Sequence, residues 1–108
     1  MDAVAEITGG VCGLKTVVRA TSTDGVTVLL DIVSECPRIC AMAGEMASLD
    51  AVDEALRKPL IETMAGVLAA KHRLHSSCLA PVGILKAVEV AAGLALPCLC
   101  QVKLSRSG

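Results

Sequence analysis

Three cysteines and one histidine of this chain are placed where they could bind a metal ion or an iron–sulfur cluster. Cys12 and Cys36 flank a segment with the pattern of a β-hairpin, and Cys78 follows His75 by three residues. Thiolate sulfur and imidazole nitrogen are common ligands of zinc, and thiolate is the usual ligand of iron–sulfur clusters. We therefore predict a metal site at Cys12, Cys36 and Cys78, with His75 as the fourth ligand or as a residue that supports the ligands.

The predicted hairpin, residues 14–34, is the element that would bring two of these thiols together. Asp24-Gly25 at its middle indicates a two-residue turn, because Gly readily takes the positive φ that such a turn requires. Counting outward from that turn, Gly13 lies opposite Cys36, and Cys12 comes one residue further out. Facing side chains in a sheet are about 5 Å apart at Cβ and diagonal ones about 7–8 Å. The two thiols should therefore emerge together at the open end of the hairpin.

Local sequence around the three cysteines favours thiolate ligands. Pro37 and Pro81 mark the first turns of two predicted helices, so Cys36 lies at one helix N-terminus and Cys78 shortly before another. The positive end of a helix dipole stabilises an anionic group. Cys12 has glycines on both sides, which let the backbone approach a bulky group without Cβ clashes.

Other interpretations of the six cysteines stay open. A free cysteine is a small side chain that is often simply buried in a core. Cys40, one helical turn after Cys36, continues an apolar stripe and is predicted to be a core residue; it could also be a reserve ligand or a disulfide partner. Cys98 and Cys100 would share one face of a tail strand, where burial or a peripheral role is expected.

The composition argues against several classes of function. The chain has a net charge of −1 and no Phe, Tyr or Trp, so we expect no nucleic-acid binding. No apolar run approaches the roughly 20 residues of a membrane span, and we expect no membrane association. The sequence carries no G-x-S-x-G, P-loop or dinucleotide-binding motif, which indicates a protein that is not an ordinary enzyme.

The cysteine content also predicts a compartment. The first residues lack the basic and apolar regions of a signal peptide, so we expect a cytoplasmic protein with reduced or metal-bound thiols. The hydrophobic fraction of 54% is high for a chain of 108 residues and hints at a homo-oligomer, without naming an interface.

The pattern of the whole chain predicts a single α+β domain, residues 1–108. We expect a small antiparallel β-sheet, made of the hairpin 14–34 plus edge strands, covered on one face by about four helices. The predicted elements are an edge strand Val4–Thr8, helices Pro37–Ala47, Leu49–Lys58 and Leu60–Lys71, a last helix from Pro81 capped by Gly93, and a weak tail strand Leu99–Leu104. Glu54 is predicted to face outward. The residues predicted to face inward from these middle helices are Val52, Leu56, Leu60, Ile61, Met64, Val67 and Leu68.

The order of these landmarks resembles the iron–sulfur cluster assembly scaffolds of the NifU/IscU type. The resemblance covers about residues 9–93 and rests on Cys12-Gly13, on Ser34-Glu35-Cys36 and on His75-Ser76-Ser77-Cys78 before an alanine-rich helix. It also extends to a small family of uncharacterised bacterial and archaeal proteins with the same landmarks. The chain differs from the scaffolds in having Leu14 where they carry an acidic residue, and two serines between the histidine and the cysteine.

The resemblance implies a 2Fe–2S cluster or zinc held by Cys12, Cys36 and Cys78, with His75 in an auxiliary role. It also implies partner proteins that donate or accept the cluster. Three alternatives remain: a zinc-stabilised interaction module using the same residues, a thiol redox protein using Cys36 and Cys40, and a plain interaction domain whose cysteines are core residues.

Overall fold

The computed structural model describes all 108 residues and shows an α+β fold, as predicted. Four antiparallel strands form one sheet in the order β1-β2-β3-β4, so neighbours along the chain are neighbours in the sheet. The strands are β1 Asp2–Thr8, β2 Lys15–Thr21, β3 Thr27–Ser34 and β4 Ser48–Asp50. The helices are α1 Pro37–Ala43, α2 Met64–Lys71 and α3 Ala80–Ala91, together with a π-helical segment Asp53–Arg57 and short 3-10 turns Gly10–Cys12 and Leu60–Glu62.

The core lies between one face of the sheet and the helices. It contains no aromatic side chain, and its largest fully buried members are aliphatic residues and methionines: Met42, Met46, Ile84, Val18, Val28 and Val88. Burial alternates along β2, where Thr16, Val18 and Ala20 are buried. This period of two is the reason that these β-branched and small residues form a strand with only one covered face.

The central hairpin pairs one residue away from the predicted register. Thr16 lies opposite Ser34 and Val18 opposite Ile32, because residues 22–26 form a longer loop than the predicted two-residue turn. The carboxylate of Asp24 organises this loop by accepting hydrogen bonds from the backbone N–H groups of Val26 and Thr27 at 2.9 and 2.8 Å. The observed pairs join even-numbered residues to even-numbered residues, so the apolar sides of both strands lie on the same face of the sheet. The predicted register would have paired even with odd residues and placed the two apolar sides on opposite faces.

The middle of the chain differs most from the prediction. Ser48 does not cap a helix over 49–58: residues Ser48–Asp50 pair with β3 as a fourth strand, and Asp50 then accepts a hydrogen bond from the backbone N–H of Asp53 at 3.1 Å. The predicted helix 60–71 begins only at Met64, where Thr63 caps it by accepting from the N–H of Gly66 at 3.0 Å. The predicted tail strand Leu99–Leu104 is also absent, since residues 95–108 have no regular structure.

Several inward and outward assignments in this region are reversed. Glu54, predicted to face solvent, is buried at 5% exposure. Its carboxylate accepts from the backbone N–H of Met64 at 2.7 Å and pairs with Lys58 at 3.0 Å. Most of the side chains predicted to face inward are exposed instead: Leu56, Leu60, Ile61, Met64 and Val67. Leu68 is an exception, since it is buried as predicted, and Ala65 is the other buried residue of α2.

No helix of the structure has both the length and the apolar character that a membrane crossing requires.

Candidate metal centre

The predicted ligands meet at one cavity at the end of the sheet. The cavity has a volume of about 220 Å³, and Cys12, Cys36, Cys78 and His75 all line it. It lies where β1 ends and β2 begins, next to the end of β3 and the first turns of α1 and α3. Three chain segments that are far apart in sequence therefore each contribute a cysteine to the lining of this cavity.

Cys12 is positioned by the glycine-rich connection between β1 and β2. Gly10 and Gly13 have φ of +60° and +67°, a region that other residues rarely adopt. These conformations form a tight 3-10 turn in which the Cys12 thiol folds back and donates to the carbonyl of Gly9 at 3.2 Å. A Cβ atom on Gly9 would collide with this sulfur, so a larger residue there would displace the Cys12 thiol from the Gly9 carbonyl.

Cys36 occupies the N-cap position of α1 with an extended backbone. Its N–H donates to the hydroxyl of Ser34 at 3.0 Å, and that hydroxyl also bonds to Thr16 at 2.8 Å across the hairpin. The half-buried Cys36 side chain is thereby fixed at the open end of β2 and β3, with Pro37 at the first helical position as predicted. The ladder ends at the pair Thr16 and Ser34, and the same register extended outward sets Cys36 level with Leu14 rather than with Gly13.

His75 and Cys78 lie in the loop between α2 and α3. The N–H of Cys78 donates to the carbonyl of His75 at 3.0 Å, so the two residues form the ends of one tight turn. Cys78 is half-buried and His75 is exposed, although both line the cavity. The turn ends one residue before the helical start of α3, which directs the loop toward the open end of the hairpin.

An unusual backbone conformation starts this loop. Arg73 has φ of +56° and is the only residue other than glycine with a positive φ. The N–H of Arg73 donates to Ala70 at 3.2 Å and that of Leu74 to Ala69 at 3.0 Å, which is the pattern of a Schellman C-cap. α3 ends in the same way, with Gly93 at the equivalent position and φ of +77°. Arginine thus occupies a position that normally favours glycine.

Arg38 connects the two halves of the cavity wall, and the sequence analysis did not identify it. Its guanidinium, on α1, donates through Nη1 to the backbone carbonyl of Arg73 at 2.5 Å. The same side chain lines the cavity and is the only lysine or arginine to do so. Lys86 lies on an exposed part of α3 outside the cavity lining. The position of Arg38 two residues after Cys36 was the only available indication.

The rest of the cavity wall is apolar. Nine of its thirteen residues are hydrophobic, and the aliphatic ones are Ile7, Leu14, Ile39, Leu74 and Leu79, with Ala80. A hydrophobic shell limits water access to a bound group and lowers the local dielectric constant. The wall therefore combines soft sulfur donors with an environment that would protect a group bound to them.

The thiols do not form a complete ligand set as they are arranged. All six cysteines are free, and no group of three or more His, Cys, Asp or Glu side chains is arranged to hold a metal ion. Cys12 donates to a backbone carbonyl instead of pointing to a common centre. Binding of one group by all three cysteines would thus require rotation of side chains around the cavity, which the exposed loop carrying Cys12 permits.

The remaining cysteines and the second histidine lie outside the cavity lining. Cys40 is exposed rather than buried, contrary to the prediction, because its sulfur turns back to donate to the carbonyl of Ser34 at 3.1 Å. Cys98 and Cys100 are exposed in the tail. His72, expected to be solvated, is only 20% exposed and pairs with Glu45 of the α1–β4 connection.

Comparison with known proteins identifies the family but not the activity. A family model described as "Family of unknown function (DUF6951)" matches residues 3–104, and the chain belongs to this family. No curated protein and no solved structure matches the chain.

Proposed function

We propose that this protein binds a thiolate-ligated metal group, foremost a 2Fe–2S cluster, and that it holds or transfers this cluster. The observation that supports the proposal is the common cavity of Cys12, Cys36, Cys78 and His75, which come from three separate segments of the chain. Cysteines that were only small core residues would be buried, whereas two of these three are half-buried and Cys12 is exposed.

The size and lining of the cavity favour a cluster over a single ion. A cavity of about 220 Å³ leaves room for a group larger than a single ion. Structural zinc sites are closed tetrahedral arrangements, and they bring their ligands into direct contact with the metal. An open cavity with soft donors on its rim and aliphatic side chains around them is the better match to a larger thiolate-bound group.

Each residue of the proposed site has a distinct role. Cys12, Cys36 and Cys78 provide sulfur ligands, and His75 provides a fourth donor from the same turn as Cys78. When bound, such a cluster supplies iron and sulfide for transfer or a site for one electron. Arg38 adds positive charge beside the thiolates, which offsets the negative charge of a cluster ligated by cysteines. We further propose that the partners are proteins that donate or accept the cluster, in the reducing cytoplasm, where free thiols persist.

The test is anaerobic reconstitution of the protein with iron and sulfide, followed by absorption spectroscopy and metal analysis. The chain has no Trp or Tyr, so its own absorbance near 280 nm is very small and cluster bands stand on a low background. We expect visible charge-transfer bands that are lost in Cys12→Ser, Cys36→Ser and Cys78→Ser. Cys98→Ser serves as the matched control, because it removes an exposed thiol outside the cavity lining.

The other outcomes distinguish the alternatives. If the protein is colourless and binds one equivalent of zinc through the same three cysteines, it is a zinc-stabilised module and not a cluster-binding protein. Protein that binds neither metal, but in which Cys36→Ser and Cys40→Ser abolish thiol–disulfide exchange, would support a redox role. Protein with no metal and no exchange activity would refute all of these proposals.

A further inference from the structure

The outer edge of β1 is an unprotected strand edge, and this sets it apart from the other edge of the sheet. β1 pairs with β2 without interruption from Asp2 to Thr8, and it has no strand on its other side. The opposite edge, β4, is only three residues long. Natural sheets blunt their edges with short strands, bulges, proline, lysine or inward-pointing charges. β4 uses the first of these devices. β1 is seven residues long and has no proline or lysine, and its only charged residues are the acidic Asp2 and Glu6.

The C-terminal tail has the pattern of a strand but no partner. Apolar and polar residues alternate from Cys100 to Leu104, after an apolar run that contains Pro97 and Leu99. Residues 95–108 make no backbone–backbone hydrogen bond and have no regular structure. Leu96 and Leu104 are 88% and 87% exposed. The tail therefore offers the backbone groups and the apolar side chains that strand pairing would cover.

The charges of these two segments are complementary. β1 carries Asp2 and Glu6 and no basic residue, whereas the tail from residue 95 carries Lys103 and Arg106 and no acidic residue. Two β1 edges brought together would place like charges next to each other, which destabilises cross-strand pairs. A basic strand on this acidic edge is favoured instead.

We infer that the tail of one copy, residues 98–104, pairs with the β1 edge of a second copy. The tail leaves the body after α3, near the loop of residues 22–26, since Gly25 lies close to the carbonyl of Ala92. When two copies exchange tails reciprocally, both β1 edges are covered and the assembly closes as a two-fold dimer. The oligomer hinted at by the apolar composition thereby gains a defined interface, independent of the metal centre.

The experiment measures dimerisation of full-length variants by size-exclusion chromatography with light scattering and refractive-index detection. Val102→Pro removes a backbone N–H in the middle of the tail segment, and Ser107→Pro outside it is the matched control. Both positions lie in irregular structure, so neither change disturbs the fold of the body. The closed dimer contains two contacts between a tail and a β1 edge, so Val102→Pro affects both of them. We expect this substitution, but not Ser107→Pro, to raise the dissociation constant of the dimer about tenfold or more.

Charge reversal provides a second, independent variant set. Glu6→Lys alone and Lys103→Glu with Arg106→Glu should each weaken the dimer, and the combination should restore much of the affinity. A full-length chain that is monomeric at every concentration would overturn the inference, as would a dimer insensitive to Val102→Pro. Hydrogen exchange adds a third refuting result: protection of residues 98–104 that does not depend on protein concentration would mean that the tail covers its own β1 edge.

Discussion

The contact between Arg38 and the carbonyl of Arg73 makes the most specific prediction about the candidate site. Arg38→Met keeps much of the aliphatic stem but removes the donor that holds the loop of residues 73–78 against α1. A hydrogen bond contributes about 0.5–1.5 kcal/mol net, and both groups are exposed, so the value belongs in the lower half of that range. Local opening of the loop should then become about two to five times more frequent.

Hydrogen exchange followed by mass spectrometry or NMR measures this opening directly and needs no metal. The amide of Cys78, which donates to His75, should exchange about two to five times faster in Arg38→Met, whereas the amides of β2 should not change. Arg19→Met is the matched control, since it removes an exposed arginine on the sheet face away from the helices. In Arg38→Met the affinity for added Zn²⁺ should fall by no more than this two- to fivefold factor, because part of the binding free energy is then needed to order the loop. Unchanged exchange at Cys78 would refute the idea that Arg38 positions this loop.

Three further predictions concern stability and pH. Glu54→Ala leaves the N–H of Met64 without its partner near the start of α2, and urea unfolding should show a loss of about 1–3 kcal/mol, with Glu54→Gln less severe. Gly9→Ala should lower stability because its Cβ meets the Cys12 sulfur, and the loss should largely disappear in a Cys12→Ala background, as a double-mutant cycle would reveal. The pKa of Glu45 is lowered by its hydrogen bonds from Lys71 and His72, so its contribution is present above the usual pKa of 4.5 and is lost as pH falls through the lowered value. Glu45→Gln should accordingly destabilise the protein more at pH 7 than at pH 3, as thermal unfolding at the two pH values would measure.

The sheet could be predicted because its evidence is local. Alternation along residues 15–21 and 27–34 identifies two strands and their buried faces, and the structure confirms both. The register could not be predicted from Asp24-Gly25 alone, because Asp24 accepts bonds from Val26 and Thr27 and thereby stabilises a longer loop. The helix propensity of residues 49–58 was likewise overridden, since Leu49 is buried by pairing with β3.

The sequence could indicate which cysteines lie near one another, but it could not predict how their side chains are oriented. Cysteines at the ends of predicted elements indicated a common location, and Cys12, Cys36 and Cys78 do share one cavity. Their side-chain directions depend on local backbone conformations that no sequence pattern predicts. One example is the positive φ of Arg73, at the start of the loop that carries Cys78. Cys40 shows the same limit, because its apolar spacing indicated burial while its sulfur turns outward to Ser34.

Because the three cysteines lie on separate segments of the chain, any group that they bind together should stabilise the native state. Each lies on a different segment: a glycine turn, a helix N-cap and an interhelical loop. A ligand shared by all three joins these segments, and since the unfolded chain has no such cavity, binding stabilises the native state by mass action. Because the segments include the ends of β1, β3 and α2, the protection should appear at the whole open end of the sheet rather than at one loop. A bound metal that protects only residues around one cysteine would therefore be held by that segment alone, and the shared cavity would not be its site.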